Sequence, residues 1–234
     1  MIAREGLIFI FSGAVLTILL SLAAAKWDSA WLFAVSLVFA ILTIFVTFFF
    51  RDPHRVFPVE PGILVAPADG KVVAVDTLES HPFIGGSAVK VSIFLSVFNV
   101  HINRVPTAGV VDYVKYNPGK FLAAYEDKAS EVNEQTEIGM TAPGGAKVVF
   151  KQIAGIIARR IVCKLNQGDI VNTGDRCGLI RFGSRTDLIV PKDSRLLVKM
   201  GDRVKGAQTV MGYLPGYGPH APSTAAQAEG NVKL

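Results

Sequence analysis

Two apolar segments near the N-terminus, each without a charged residue, most limit what this chain can fold into. They cover residues 6–25 and 29–50, and each has about the 20 residues that a helix needs to span the hydrocarbon core of a bilayer. Only residues 26–28 separate them, so the sequence predicts a tight helical hairpin. Neither segment has a polar face to turn toward water, which disfavours two core helices of a soluble protein.

Basic residues stand at both outer ends of this hairpin. Arg4 precedes the first segment, and Arg51 and Arg55 follow the second. The positive-inside rule therefore places both ends in the cytoplasm. A cleaved signal peptide is disfavoured because a second apolar segment follows at once. We expect residues 1–52 to form a membrane-associated hairpin in the cell membrane, with the rest of the chain on the cytoplasmic side.

From Pro53 onward the sequence consists of short Val- and Ile-rich stretches between Gly and Pro turn signals, a pattern typical of β-strands. The strands are predicted at residues 71–75, 89–95, 147–153, 160–165 and 188–190. Two similar Gly-Asp hairpins are typical of the flattened β-sandwich of biotinyl and lipoyl carriers. We therefore predict a mainly β catalytic domain, a flattened or barrel-like sandwich, over residues 53–212, and a flexible Pro-, Gly- and Ala-rich tail over residues 213–234.

The formal net charge of +5 suits an anionic partner. Nucleic acid and an anionic lipid surface are the two candidates. No basic run with interleaved aromatic residues supports nucleic acid, so the membrane surface is favoured. The two cysteines, Cys163 and Cys177, lack CxxC spacing and a nearby histidine pair, so we expect no metal site.

Three polar stretches in the β region could carry chemistry, and they contain Asp69, His101 and the pair Gly183–Ser184. Each is ordinary alone: an Asp-Gly turn, a core histidine and a Gly-Ser bulge. Together they offer a nucleophile, a base and a carboxylate that could hold the base in one tautomer. β-like sequence lies on both sides of Ser184, whereas the nucleophile of many hydrolases lies in an elbow between strand and helix.

The carbonyl nearest to the Ser184 hydroxyl is that of Gly183, and glycine allows strained backbone conformations there. Attack on this carbonyl would convert the amide into an ester, and β-elimination would then break the chain and leave a dehydroalanine. Hydrolysis of that group would give a pyruvoyl cap and ammonia. A pyruvoyl ketone that binds an amine as a Schiff base can serve as the electron sink of a decarboxylase, the role that pyridoxal phosphate usually has.

Several sequence blocks, in one order over nearly the whole chain, resemble the short, membrane-associated prokaryotic phosphatidylserine decarboxylases. These blocks are FFRDPHR, PADGKV, FNVHINRVP, YNPGKF, DKASEVNEQ, QIAGIIARRI and RFGSR. The resemblance implies a pyruvoyl-dependent carboxy-lyase that converts phosphatidylserine into phosphatidylethanolamine and CO2. It also implies self-cleavage between Gly183 and Ser184 into a β chain of residues 1–183 and an α chain of residues 184–234. The two chains would form a heterodimer, and a higher homo-oligomer stays open.

The resemblance also assigns site residues. The family's Asp-His-Ser arrangement maps onto Asp69, His101 and Ser184, and Ser184 would become the covalent pyruvoyl cofactor. Longer family members carry a D-Y-H-R-x-H block, in which Asn99 here replaces the acidic residue and Arg104 the second histidine. His101 is the candidate acid that returns a proton to the substrate carbon, since the pKa of histidine lies near working pH. The candidate contacts to the lipid phosphate are Lys120, Lys128 and Arg159.

Two other functions stay open at this point. The Gly-Asp hairpins would also suit a membrane-anchored, non-catalytic carrier or adaptor, although no lysine stands at a matching hairpin tip. Pyruvoyl chemistry on a soluble amino acid is the second alternative, and the apolar hairpin argues against it. An ether lipid would present the same headgroup as an ester lipid, so the backbone of the lipid also stays open.

Overall fold

The computed structural model describes residues 1–120, 132–155, 161–181 and 184–219. The chain separates into two compact units, Met1–His54 and Arg55–Leu234. The first unit is helical and the second is formed mainly by β-strands. The predicted fold class, a β-rich domain preceded by an apolar helical hairpin, is therefore confirmed.

The first unit contains two antiparallel helices, α1 (Arg4–Lys26) and α2 (Ala30–Phe49). The side chain of Ser29 caps α2 by accepting a hydrogen bond from the Leu32 amide. The hydroxyls of Ser21 and Ser36 join the helices at 2.6 Å. Both helices are long and apolar enough to cross a membrane, and only 6% and 11% of their apolar windows are buried in the structure. Helices in the core of a soluble protein would be mostly buried, so this exposure favours contact with lipid.

The second unit forms fourteen strands within the described ranges. They are β1 (Ile63–Val65), β2 (Gly70–His81), β3 (Gly86–Leu95), β4 (Ile102–Arg104), β5 (Gly109–Asn117), β6 (Gln135–Thr141), β7 (Lys147–Ala154), β8 (Ile161–Cys163), β9 (Ile170–Val171), β10 (Arg176–Ile180), β11 (Ser184–Pro191), β12 (Arg195–Leu196), β13 (Arg203–Val204) and β14 (Val210–Tyr213). The five predicted strands fall within or overlap β2, β3, β7, β8 and β11.

Eight of these strands form one sheet, in the order β13-β2-β3-β11-β7-β6-β5-β9, with antiparallel pairing throughout. Two smaller sheets have the orders β1-β14-β12 and β4-β10-β8. The main apolar core includes alternate residues of the large sheet, such as Ile93, Phe150 and Leu188. This period of two is what a strand with one face in the core requires.

The C-terminal end of the β unit extends beyond the boundary expected from the sequence. Tyr213 is the last residue of β14, Leu214 is buried, and Tyr217 packs against the main core. The first residues of the expected flexible tail therefore belong to the β unit. The later part of that tail, residues 220–234, lies outside the described residues.

Candidate active site

The first residue of β11 is Ser184, and β11 lies in the interior of the large sheet. The backbone of Ser184 pairs with Leu95 of β3 on one side and with Ala154 of β7 on the other. Gly183 lies outside the described residues. Ser184 thus begins a strand that is hydrogen-bonded along both edges, in agreement with the β-like sequence around it.

His101 contacts β10, the strand that precedes Ser184 in the chain. It directly precedes β4, and β4 pairs with β10. The amide of Ile180, the last residue of β10, donates a hydrogen bond to the His101 carbonyl at 3.4 Å. The imidazole is only 2% exposed. His101 and Ser184, far apart in sequence, are therefore linked through the short segment that follows Ile180.

A main-chain carbonyl holds the His101 ring. Its Nδ1 atom lies 2.9 Å from the Asn99 carbonyl oxygen, which can only accept, so Nδ1 carries a proton. In the neutral ring, Nε2 is then the nitrogen that carries the lone pair and can accept a proton. The Asn99 side chain in turn accepts from the amide and hydroxyl of Ser96, at 2.9 and 2.8 Å. This turn fixes the tautomer that a base requires. The analysis of the sequence did not predict this role for Asn99.

Asp69 is buried, with 8% of its surface exposed, but its partners differ from those expected. Arg55 approaches both carboxylate oxygens, with Nη2 donating to Oδ2 at 2.8 Å. The amide of Gly206 donates to Oδ1 at 2.8 Å. The carboxylate and the His101 imidazole thus hydrogen-bond to different groups. Arg55 also donates to the Gly206 carbonyl at 2.6 Å, so Asp69 and Arg55 together anchor the loop before β14.

Buried polar atoms without partners lie close to Ser184 along the chain and the sheet. Thr186 is two residues farther along β11 and pairs with Gln152 of β7. Nε2 of Gln152 donates to Oδ1 of Asn103 at 2.9 Å. Oγ1 of Thr186, Oε1 of Gln152 and Nδ2 of Asn103 are buried and have no hydrogen-bond partner. Each such group costs about 1–3 kcal/mol, so the cluster suits a polar group that is absent from the structure.

The residue after Ser184 is a buried arginine. Nε of Arg185 donates to Oδ1 of Asp187 at 2.8 Å, and Nη2 donates to the Ser92 hydroxyl at 2.6 Å. Both charged side chains are 1% exposed. The sequence signal for this pair is an arginine and an aspartate two residues apart in a strand that is otherwise uncharged, and sequence reasoning did not use it. The pair ties β11 to β3 directly after the expected cleavage point.

The candidate phosphate contacts can be placed only in part. Lys120 is exposed, and its backbone pairs with Val132 and Glu134. Asn133 lies between these two residues and donates to the carbonyl of Ala154 at 2.8 Å. Since Ala154 pairs with Ser184, Lys120 lies on the β7 side of the site. Its role toward phosphate stays a prediction. The other two candidates, Lys128 and Arg159, lie outside the described residues.

Comparison with known proteins identifies the family. The family model for phosphatidylserine decarboxylase matches residues 42–212. The chain belongs to the phosphatidylserine decarboxylase family. It is 50% identical to the phosphatidylserine decarboxylase proenzyme of Symbiobacterium thermophilum over 214 residues, which cover 92% of this chain and 96% of that protein. The corresponding proenzyme of Desulfotalea psychrophila is 45% identical over 213 residues, 91% of this chain and 96% of that protein.

These relatives in the phosphatidylserine decarboxylase family match this chain over nearly its whole length. The proenzyme of Pelobacter propionicus, for example, is 46% identical over 91% of this chain and 96% of its own length. The resemblance inferred from the sequence blocks is thereby confirmed. The roles of Asp69, His101 and Ser184 that it implies stay predictions, and the geometry around them carries the proposal that follows.

Proposed function

We propose that this chain decarboxylates phosphatidylserine to phosphatidylethanolamine, with a covalent pyruvoyl cofactor that it makes from its own Ser184. The observation that carries this proposal is the position of Ser184. It begins a strand between β3 and β7, shortly after the residue that pairs with His101. The relatives are named as proenzymes, which supports a processing step in this chain as well.

The first reaction is cleavage of the chain by its own serine. The Ser184 hydroxyl attacks the Gly183 carbonyl carbon, and the amide C–N bond breaks as the ester C–O bond forms. The proton passes from the hydroxyl to the freed amine of residue 184. In the elimination that follows, a base takes the Cα proton of residue 184 and the bond between Cβ and the ester oxygen breaks, which leaves a carboxylate on Gly183 and a dehydroalanine at position 184. Addition of water and loss of ammonia leave the pyruvoyl group on the α chain.

His101 is the proposed base of this cleavage. Its Nδ1 proton is donated to the Asn99 carbonyl, so Nε2 is the ring nitrogen that would accept the Ser184 proton. In the mature enzyme we assign the same nitrogen the return of a proton to the substrate carbon. Asp69 is proposed to act with Arg55 as a positioning pair for the surrounding turns. Direct orientation of the imidazole by the Asp69 carboxylate is the alternative that the variants described below distinguish.

The residues around position 184 fit a pyruvoyl group. Such a group supplies the electron sink that the carbanion needs after CO2 leaves. The Thr186 hydroxyl and Nδ2 of Asn103 are buried donors without partners, and they would donate hydrogen bonds to its oxygens or to the substrate carboxylate. A group at this position would therefore satisfy atoms that are otherwise buried at a cost.

The sheet topology explains how the two chains would stay together as a heterodimer after cleavage. The proposed α chain contains β11, and β11 is paired with β3 and β7 of the proposed β chain. Cutting the chain before Ser184 breaks none of these ladder hydrogen bonds. The apolar hairpin is proposed to hold the enzyme in the cell membrane, with the β unit on the cytoplasmic side. The lipid substrate would then keep its acyl chains in an anionic bilayer, as the net positive charge favours.

The decisive experiment compares wild type with Ser184→Ala. Wild-type protein should run as two chains on denaturing electrophoresis. Intact mass should match residues 1–183 and a pyruvoyl-blocked chain of residues 184–234. Ser184→Ala should stay uncut and should convert no phosphatidylserine into phosphatidylethanolamine. Thin-layer chromatography of the lipid would show this. An uncut wild-type enzyme that turns over the lipid would contradict the proposal. Cleaved protein without turnover would favour a carrier or a different amine substrate.

A further inference from the structure

Two buried amide side chains join the large sheet to the small sheet of β4, β10 and β8. Nε2 of Gln152 in β7 donates to Oδ1 of Asn103 in β4 at 2.9 Å and to the Val162 carbonyl at 3.4 Å. Thr186 of β11 is the ladder partner of Gln152. Gln152, Asn103 and Thr186 are each at most 1% exposed, and we call these three residues the amide cluster.

Each member of the amide cluster has one polar atom without a hydrogen-bond partner among the residues that the structure describes. These atoms are Oε1 of Gln152, Nδ2 of Asn103 and Oγ1 of Thr186. Buried polar atoms of side chains have a partner in the large majority of cases. The amide cluster therefore requires a hydrogen-bonding occupant that the described residues do not supply.

The three unpaired atoms limit the chemistry of this occupant. Oε1 of Gln152 can only accept a hydrogen bond, Nδ2 of Asn103 can only donate one, and the Thr186 hydroxyl can do either. A carboxylate only accepts and an ammonium only donates, so each would leave one atom unpaired. Water donates and accepts, and a buried water molecule typically makes about three hydrogen bonds to groups of this kind. The amide cluster therefore suits one water molecule.

The strand register places the amide cluster next to position 184. Residues two apart in a strand line one face, so positions 184 and 186 share a face of β11, with about 7 Å between their Cα atoms. The same step of two residues separates Asn103 from His101, whose carbonyl accepts from the Ile180 amide shortly before Ser184. One water molecule between the Thr186 hydroxyl and the Cα atom of residue 184 fits this separation, since a hydrogen bond spans about 2.8 Å.

We infer that the amide cluster holds the water molecule that turns residue 184 into the pyruvoyl group, with Gln152, Asn103 and Thr186 as its positioning residues. The inference rests on the proposed function and deepens it, because formation of the ketone consumes one water molecule. Elimination leaves residue 184 with a free amine on a carbon–carbon double bond, and this enamine tautomerises to an imine with a methyl group. The imine carbon, Cα of residue 184, is the atom that the water must reach.

The inferred step balances without an oxidant or a reductant. The water oxygen forms a bond to Cα, and one of its protons passes to the imine nitrogen. The second proton follows to the nitrogen, the C–N bond breaks, and ammonia leaves. The water oxygen remains as the ketone oxygen, which can accept from the Thr186 hydroxyl and from Nδ2 of Asn103. These are the contacts proposed above for the oxygens of the pyruvoyl group.

The test follows the state of residue 184 in the full-length chain during cell-free synthesis. Sodium borohydride, added to the native protein at timed intervals, reduces a ketone to a lactyl group, which blocks N-terminal sequencing. It reduces an imine to alanine, which sequencing reads at position 184. Wild type should give the lactyl form. Thr186→Val and Gln152→Met should be cut within about twofold of the wild-type rate, but their alanine form should persist on the order of tenfold longer, as loss of a hydrogen bond to the water predicts.

Two matched variants separate positioning of the water from a structural role. Thr186→Ser keeps the hydroxyl and should restore the lactyl form at the wild-type rate, although it removes a methyl group. Thr141→Val makes the threonine-to-valine change in β6, where the Thr141 hydroxyl donates to Asp112 at 2.7 Å. Five residues of strand, roughly 17 Å, separate Thr141 from Thr136, the β6 partner of Gln152, so its lactyl form should appear as in wild type.

Four outcomes would overturn the inference. The first is a wild-type time course of the lactyl form in both Thr186→Val and Gln152→Met. The second is an uncut chain in these variants, and the third is an α chain that begins with unmodified serine, because each would assign the amide cluster to an earlier step. The fourth is an equal delay in Thr141→Val. An uncut wild-type chain would instead refute the proposed function and the inference with it, whereas a lactyl wild type beside unaffected variants contradicts the inference alone.

Discussion

At the scale of single residues, a main-chain carbonyl holds the ring of the candidate histidine. Asn99 provides the carbonyl that fixes Nδ1 of His101, and its own side chain is fixed by Ser96. A buried imidazole with one nitrogen tied to a carbonyl is oriented as firmly as one tied to an aspartate. The geometry therefore favours a base whose tautomer and orientation are set by the turn before β4.

Replacing His101 tests this role. We expect His101→Ala to stay uncut, or to self-cleave at least about a hundredfold more slowly than wild type, because general-base catalysis contributes about 10²–10⁴-fold. Time courses of cleavage on denaturing gels after cell-free synthesis would measure the rate. His54→Ala, which removes an exposed histidine, is the control and should cleave at the wild-type rate. Normal cleavage of His101→Ala would exclude this residue as the base.

At the scale of elements, a bidentate ion pair joins the chain before β1 to the beginning of β2 and the loop before β14. The side chains of Arg55 and Asp69 are 7% and 12% exposed, and Gly206 contacts both. Removing one partner of a buried pair leaves an uncompensated charge and costs about 3–5 kcal/mol. The bridge therefore holds the beginning of β2 and the loop after β13 in one arrangement.

The variants Asp69→Asn and Arg55→Ala separate positioning from direct catalysis. If Asp69 acts through the bridge, both should lower the urea midpoint in a Ser184→Ala background, and both should slow self-cleavage in the wild-type background. Arg55→Lys should restore part of each loss because it keeps the charge. Slow cleavage of Asp69→Asn beside normal cleavage of Arg55→Ala would instead show that the carboxylate acts on His101 directly.

A second charged cluster, on β5, β6 and β7, predicts how stability depends on pH. Glu137 accepts from the Tyr113 hydroxyl and pairs with Lys151, both at 2.7 Å. Burial acts to raise the pKa of Glu137, but the contacts to Lys151 and Tyr113 outweigh it and lower this pKa below its ordinary value of 4.5. A lowered pKa means that the carboxylate stabilises the fold above pH 4.5 and that this contribution is lost as pH falls through the folded-state pKa.

We therefore expect Glu137→Gln to be less stable than wild type at pH 7 and to lose less stability between pH 7 and pH 3. Urea midpoints at both pH values, in the uncleaved Ser184→Ala background, would measure this. The exposed Glu79 provides the control, since Glu79→Gln should keep the wild-type pH dependence. An identical acid-induced loss in Glu137→Gln and wild type would show that this carboxylate does not contribute.

At the scale of the whole molecule, the helical unit and the β unit are separately compact. The apolar surface of α1 and α2 is largely exposed, and an exposed apolar surface of this size requires lipid or a partner. The β unit contains all the residues proposed for chemistry. This division predicts that attachment to the membrane and self-cleavage reside in different parts of the chain.

Membrane extraction and protease protection test this division. Full-length protein should stay in the pellet after alkaline carbonate extraction, whereas residues 55–234 alone should remain in the supernatant and still self-cleave. In inside-out vesicles added protease should digest the β unit, and in intact spheroplasts the β unit should be protected. Digestion in spheroplasts would reverse the proposed orientation, and carbonate release of the full chain would contradict a spanning hairpin.

The sequence by itself determined the elements, because apolar runs of bilayer length and alternating Val- and Ile-rich stretches are local signals. It also singled out Ser184 and His101, whose residue types and neighbours suit one reaction. Only the tertiary structure decided which side chains meet. Asp69 meets Gly206, 137 residues away, and Lys71 faces Arg203, because strand register and sheet order determine such pairs. These depend on packing across the whole β unit, which no local stretch of sequence encodes.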